Sequence, residues 1–231
     1  MAKKKSKLVQ LAGVVDTINV VDAFEKLQVN IGLASVDKKI QVIQITSSLQ
    51  DEGKTTVAVN LAQSFALKGS KVLIVDLDIR RPKIHRNFNQ PNENGIVDLA
   101  AGTIKKDQLI KQTKYGIDVV LTGSKTPYPV KILESEMIKS LVEEAKGIYD
   151  YIILDSPPVS AVVDPIVITK LAEAVLFVVQ ADRTKKSVIK EAFKQLELSG
   201  ANIIGLVLTN VKQKYTNYKY KYYTSEESNI E

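Results

Sequence analysis

Ile45-Thr46-Ser47-Ser48-Leu49-Gln50-Asp51-Glu52-Gly53-Lys54-Thr55-Thr56 is the stretch on which the fold of this chain turns. It follows a β-rich run from Ile40 to Ile45. It also opens a segment of helical spacing, in which Val57, Leu61 and Phe65 recur beside Ala58, Ala62 and Ala66. Strand, loop and helix in that order set backbone N–H groups and a helix N-terminus around an anion. Lys54 is then placed to reach the outer phosphates of a nucleotide, and the Thr55 hydroxyl to ligate Mg²⁺. Gly53-Lys54-Thr55 fits the end of the pattern G-x-x-x-x-G-K-[ST], whereas Ser48 stands where its first Gly is expected. Alone, the stretch also suits a polar turn with an N-capping Thr ahead of an ordinary amphipathic helix, so its surroundings have to decide.

The 231 residues, 45% hydrophobic and 25% charged, suffice for one well-buried domain. The expected division is an N-terminal arm over 1–20, a folded domain over 21–212 and a flexible tail over 213–231. There is no Cys, which excludes disulfides, thiol catalysis and thiolate metal sites, and the single His85 argues against a histidine-based metal centre. Apolar runs such as Ala174 to Val179 are far short of the roughly 20 residues that a membrane-spanning helix needs. Lys3, Lys4, Lys5 and Lys7 are not followed by the continuous apolar core of a signal peptide, so the expected location is the cytoplasm. A net charge of +6 permits contact with anionic lipid or nucleic acid. No nucleic-acid-binding module is recognisable, and nucleic acid is not expected as a partner.

Asp22 to Ala34 has helical periodicity. Six strand candidates follow: Ile40 to Ile45, Val72 to Asp76, Asp118 to Thr122, Tyr151 to Asp155, Val175 to Gln180 and Ile203 to Thr209. Most are nearly continuous runs of Val, Ile and Leu, as in strands covered on both faces. Between them lie helical segments over Thr55 to Lys68, Val130 to Lys146, Ala161 to Leu171 and Thr184 to Leu198. Gly69 and Gly200 stand where a C′ glycine is favoured. This alternation predicts an α/β fold, a doubly wound and mostly parallel sheet with flanking helices, which binds ligands at the carboxyl ends of its strands.

Two of those ends are acidic. Val72-Leu73-Ile74-Val75-Asp76-Leu77-Asp78-Ile79-Arg80 gives D-x-D-x-R after a strand, and Asp155 is followed by Ser156-Pro157-Pro158. One strand-end Asp is usually a cap or turn former. Three of them at the edge that carries Lys54 offer the oxygen donors magnesium prefers. Phosphoryl transfer then needs the γ-phosphate held in line, its charge neutralised and the attacking hydroxyl deprotonated, for which Asp76 is the best-placed carboxylate. From Gln213 onward the chain becomes polar and carries Tyr215, Tyr218, Tyr220, Tyr222 and Tyr223, five of its nine tyrosines. Such a composition predicts disorder.

These motifs in order, with the tyrosine cluster, resemble the bacterial tyrosine kinases of capsule and exopolysaccharide synthesis. The likeness is to the Gram-positive form, whose cytoplasmic kinase is a separate chain from its membrane activator. The resemblance implies a P-loop NTPase fold of the MinD/ParA-like group, ATP with Mg²⁺, and autophosphorylation in trans on the five tail tyrosines. It also implies a homo-oligomer, a tyrosine phosphatase as a further partner, and a place at the inner face of the membrane through a transmembrane chain-length regulator. By similarity, Asp51, Glu52, Gly53, Lys54, Thr55 and Thr56 bind nucleotide and Asn210 contacts the adenine. Lys54, Asp76, Asp78 and Asp155 are catalytic, with Asp76 the base toward tyrosine, and Thr55, Asp78 and Asp155 hold Mg²⁺.

Departures from the family are also visible. Gln50-Asp51 replaces Pro-Gly, and Asp22, Glu25 and Gln28 align with an E-x-x-R-x-x-R subunit contact without its arginines. Tyr128-Pro129-Val130-Lys131-Ile132-Leu133 replaces a Pro-rich turn. The alternatives are a MinD/ParA-type switch ATPase, whose extra loop lysine is here Leu49, and a nucleotide-binding regulator with little kinase activity.

Overall fold

Seven strands form one sheet, six of them from runs rich in Val, Ile and Leu and the seventh the short Ile-Lys-Gln stretch at 110–112, with helices covering both faces. In chain order the elements are α1 (Thr17–Leu33), β1 (Val42–Ser47), α2 (Lys54–Leu67), β2 (Val72–Asp76), α3 (Ile84–Asn87), α4 (Ile96–Ala100), β3 (Ile110–Gln112) and β4 (Ile117–Val120). They continue with α5 (Pro129–Leu133), α6 (Glu136–Lys146), β5 (Tyr151–Asp155), α7 (Asp164–Thr169), β6 (Ala174–Gln180), α8 (Lys186–Leu198) and β7 (Ile203–Thr209). The structure, a computed structural model, describes residues 17–34 and 39–211. Most of the arm, the tail and all five tail tyrosines lie outside the described residues.

The sheet order is β3-β4-β2-β5-β1-β6-β7. Every pairing is parallel except that of the edge strand β3 with β4. Every residue of β1 and β2 is buried, the pattern of strands covered from both sides. On one face Val57, Leu61 and Phe65 of α2 pack on Ile43, Ile45, Ile74 and Ile153, with Phe24, Leu27 and Ile31 of α1 in the same cluster. On the other, Ile138, Leu141 and Val142 of α6 meet Leu73, Val75, Ile152 and Leu154, while Ala192 and Leu196 of α8 meet Phe177. Phe65 stacks on Tyr151 with ring centroids 3.7 Å apart, fixing α2 over β5. Among the described residues no helix is long and apolar enough to cross a membrane.

The doubly wound sheet is therefore as expected, and Gly69 and Gly200 take the left-handed C′ conformation, with φ of 91° and 82°. Three details differ. The single helix expected over Val130 to Lys146 is two, because Ser135 restarts it as an N-cap accepting from the Ile138 amide. The helix expected from Ala161 begins at Asp164, with Pro165 in its first turn. The long connection from β2 to β4, to which the sequence reading assigns no element, holds α3, α4 and β3.

That connection is clasped to the end of β4. Gly95 lies so close to the chain opposite that a Cβ there would sit 2.2 Å from the Gly123 nitrogen. Gly123 has φ 76°, and its own added Cβ would fall 2.0 Å from Asp98 Oδ2. The Asp98 carboxylate accepts the Gly95 amide at 2.8 Å and the Ser124 amide at 3.3 Å.

Candidate active site

β1 delivers the chain to the carboxyl edge of the sheet at Ser47, and residues 48–53 turn there into α2. The turn needs left-handed backbone twice, at Asp51 with φ 59° and at Gly53 with φ 95°. Glycine supplies the second without cost, and aspartate is among the few side chains that tolerate the first. Glu52 fastens the loop from beneath. Its carboxylate is fully buried, accepts the Leu49 amide at 2.6 Å and takes the Thr184 hydroxyl. The Thr209 hydroxyl donates to the Glu52 carbonyl at 2.7 Å. The Glu52 side chain is thus engaged by the protein, which leaves its backbone as the part available to a nucleotide.

Lys54 opens α2 and is only 8% exposed. Burial lowers the proton affinity of its ammonium, and the carboxylates of Asp155, Asp78 and Glu52 oppose that shift. Asp76 and Asp155 end adjacent strands in register, so the parallel pairing itself sets two carboxylates side by side under the loop. The Thr55 hydroxyl donates to Asp155 Oδ2 at 2.7 Å. Burial pushes Asp155 up, against the Thr55 bond and Lys54. Burial also pushes Asp76 well up, with the Asp155 charge adding to it, while its oxygens accept the amides of Asp78, Lys83 and Ile84. Asp78 is half-buried and raised by burial, against the Arg81 amide and Lys54.

Two adjoining cavities open over these groups. One of about 200 Å³ is lined by Gly53, Lys54, Thr55, Asp78 and Lys83. The other, about 260 Å³, shares Lys54, Asp78 and Lys83 and is walled by Arg80, Pro157 and Val162. Asp78 faces both; Asp76, fully buried, lines neither. Thr56 is exposed at the first cavity, and Asn210 is exposed just beyond β7 with φ 54°.

The donor set suits magnesium. Asp155 Oδ1 is buried without a hydrogen-bond partner beside a hydroxyl, and both are hard oxygen ligands. Among the described residues no cluster of three or more acidic, His or Cys side chains could enclose a metal alone. Phosphate oxygens and water would have to complete the shell, as is usual for this ion.

Sequence inspection missed Lys83 and Asp164, and the partners that Arg80, Asp51 and Gln50 take. Lys83 lines both cavities, although nothing in its local pattern marks it. Arg80 is locked in a bidentate pair with the fully buried Asp164, at 2.8 and 3.1 Å. Asp51 and Gln50 are tied to Lys83 and Arg81, each at 2.7 Å.

The family described as AAA domain matches residues 40–198. The tyrosine-protein kinase YwqD of Bacillus subtilis is 31% identical over 201 residues, 86% of this chain and 85% of that protein. The chain belongs to the bacterial tyrosine-protein kinases. A putative member of the family from Staphylococcus aureus, CapB, is 30% identical over 226 residues, covering 96% of this chain and 99% of that protein. Within this kinase family, the kinase domain of Escherichia coli ETK superposes with a TM-score of 0.80 at 28% identity, over 89% of this chain and 82% of that one. The chimerical protein CapA2B2 does so at 0.78 and 34% identity, over 81% and 83%. The MinD protein of Pyrococcus horikoshii shares the fold, with a TM-score of 0.62 at 24% identity. The similarities therefore support the kinase over the switch ATPase.

Proposed function

We propose that this chain transfers the γ-phosphate of ATP, with Mg²⁺, to tyrosine hydroxyls, first to Tyr215, Tyr218, Tyr220, Tyr222 and Tyr223 of a second copy. The setting is capsule or exopolysaccharide synthesis, under a transmembrane activator that holds the chain at the inner face of the membrane and with a tyrosine phosphatase reversing the reaction. The carrying observation is the Thr55–Asp155 bond with its unpartnered Oδ1, set beside Lys54 and Asp78 around a cavity sized for phosphates.

Loop amides and Lys54 hold the β- and γ-phosphates; Thr55, Asp155 and Asp78 hold the ion; and Asn210 borders the base. Bound Mg²⁺ supplies charge neutralisation on the transferred group. A bond forms from the tyrosine oxygen to phosphorus as the bond to ADP breaks, and the phenolic proton passes to a carboxylate. We assign that proton to Asp76, the one strand-end carboxylate that Thr55 does not engage and Mg²⁺ is not asked to share. Its amide partners belong to the turn over residues 78–84, which has to yield for a tyrosine to reach it. A second assignment, to Asp78, is favoured by its place on both cavity walls.

Purified protein incubated with ATP, Mg²⁺ and the activator's cytoplasmic segment should gain phosphotyrosine, and Lys54→Met should abolish it. Phosphate release without phosphotyrosine would indicate a switch ATPase, and neither signal a regulator. Asp76→Asn should lose labelling by about a hundredfold or more with nucleotide affinity retained, whereas Asp78→Asn should weaken Mg²⁺-dependent affinity. The opposite pattern moves the base to Asp78.

A further inference from the structure

The two residues that replace Pro-Gly in the phosphate loop are both cross-linked to the turn after β2. Arg81 donates to the Gln50 amide oxygen and Lys83 pairs with Asp51, each at 2.7 Å and across more than thirty positions of sequence. The three cations of that turn have different commitments. Arg80 is held by a buried carboxylate and Arg81 by a neutral amide, whereas the partner of Lys83 is a carboxylate of the loop itself. Lys83 also lines both cavities beside Lys54 and Asp78.

A carboxylate at Asp51 is awkward in a loop whose amides are to cradle several negative charges. The carboxylate is drawn below its usual range first by the hydrogen bond and charge of Lys83, with Lys54 and Arg183 helping. The side chains are 45% and 64% exposed, so the pair contributes little net stability and changes partners readily. An ammonium carries three donors on a flexible stem, and can keep Asp51 while adding a phosphate oxygen.

Resting on the kinase reading, we propose that Lys83 is a second phosphate-facing cation, parked on Asp51 and turned to the terminal phosphate of the bound nucleotide, so that the loop distinguishes a triphosphate from a diphosphate. The Asp51 carboxylate is its counterweight, repelling whichever nucleotide fails to recruit the lysine.

The test is a double-mutant cycle over Lys83→Ala and Asp51→Asn, the latter keeping a side chain that tolerates left-handed backbone. Affinity for ATP and for ADP is read by displacement of a fluorescent nucleotide in the presence of Mg²⁺, with far-UV circular dichroism to confirm folding. Loss of one charge-assisted bond to phosphate should weaken ATP about tenfold or more and ADP less than about threefold. The ATP loss should persist in the Asp51→Asn background. If it vanishes there, Lys83 only screens Asp51 and the proposal is wrong; equal losses for ATP and ADP, or no loss, overturn it as well. Wild-type protein that binds neither nucleotide would bring down the kinase reading and this inference together. Wild-type protein that binds both, beside an unaffected Lys83→Ala, would remove the inference alone.

Discussion

Glu52→Ala is the sharpest probe of how the phosphate loop is built. Its carboxylate is fully buried and satisfies the Leu49 amide at 2.6 Å and the Thr184 hydroxyl. A third contact, from the Gln180 amide at 3.4 Å, is too long to count for much. Truncation leaves a half-buried N–H and a half-buried hydroxyl without their acceptor, at up to about 1–3 kcal/mol each. Water entering the vacated space recovers part of that, so the expected loss is about 2–4 kcal/mol. In a chain of this size the midpoint of thermal unfolding should fall by roughly 5–15 °C. With no Trp in the chain, the assay is urea unfolding followed by far-UV circular dichroism, with Glu52→Gln alongside. The amide keeps one acceptor oxygen and should cost about half as much. A Glu52→Ala protein within about 0.5 kcal/mol of wild type refutes the fastening role. Unchanged stability with lost nucleotide affinity would put the carboxylate back against the ligand.

Arg80→Ala strands the buried Asp164 carboxylate and should destabilise by about 3 kcal/mol, the low end for such pairs because the Arg80 side chain is 41% exposed. Arg80→Ala with Asp164→Leu should cost less than Arg80→Ala alone in the same urea experiment, and a larger cost refutes the pairing. At Asp98 burial raises the proton affinity, but the amides of Gly95 and Ser124 outweigh it and the carboxyl is held below its usual range. Its stabilisation is therefore complete above the unfolded value of about 3.9 and is lost as pH falls through the lower folded value. Asp98→Asn should show a shallower acid-side decline in urea midpoint than wild type, and parallel declines would disprove the linkage.

How much of this was legible beforehand follows from what each feature depends on. The strands at Val72–Asp76 and Tyr151–Asp155 were delimited correctly because continuous aliphatic runs answer to burial on both faces, a property local sequence records. Ile203–Thr209 was delimited as well by its aliphatic run, although this edge strand leaves Leu206 and Leu208 exposed. The three-residue strand β3 has no fully buried residue and an antiparallel partner six to ten residues on, too short a pattern for periodicity to register. The convergence of Lys54, Thr55, Asp78 and Asp155 could be inferred, since strand ends of a parallel sheet share an edge. The roles of Glu52, Lys83 and Asp164 could not, because each is defined by a partner 32 to 132 positions distant. The relative accessibility of Asp76 and Asp78 depends on which way the turn after β2 folds back, and D-x-D spacing alone is silent on that.

The clasp between Gly95 and Gly123 bears on where this chain can be altered. A forty-residue excursion between neighbouring strands would ordinarily be the first place to graft a tag, an epitope or a cleavage site. Here its middle is fused to the rim of β4 so closely that neither glycine leaves room for a methyl group. A saturation library should come back nearly empty at both positions. Gly102 and Gly116, beyond the clasp, meet nothing within 4 Å and open onto space, so foreign sequence should enter there instead.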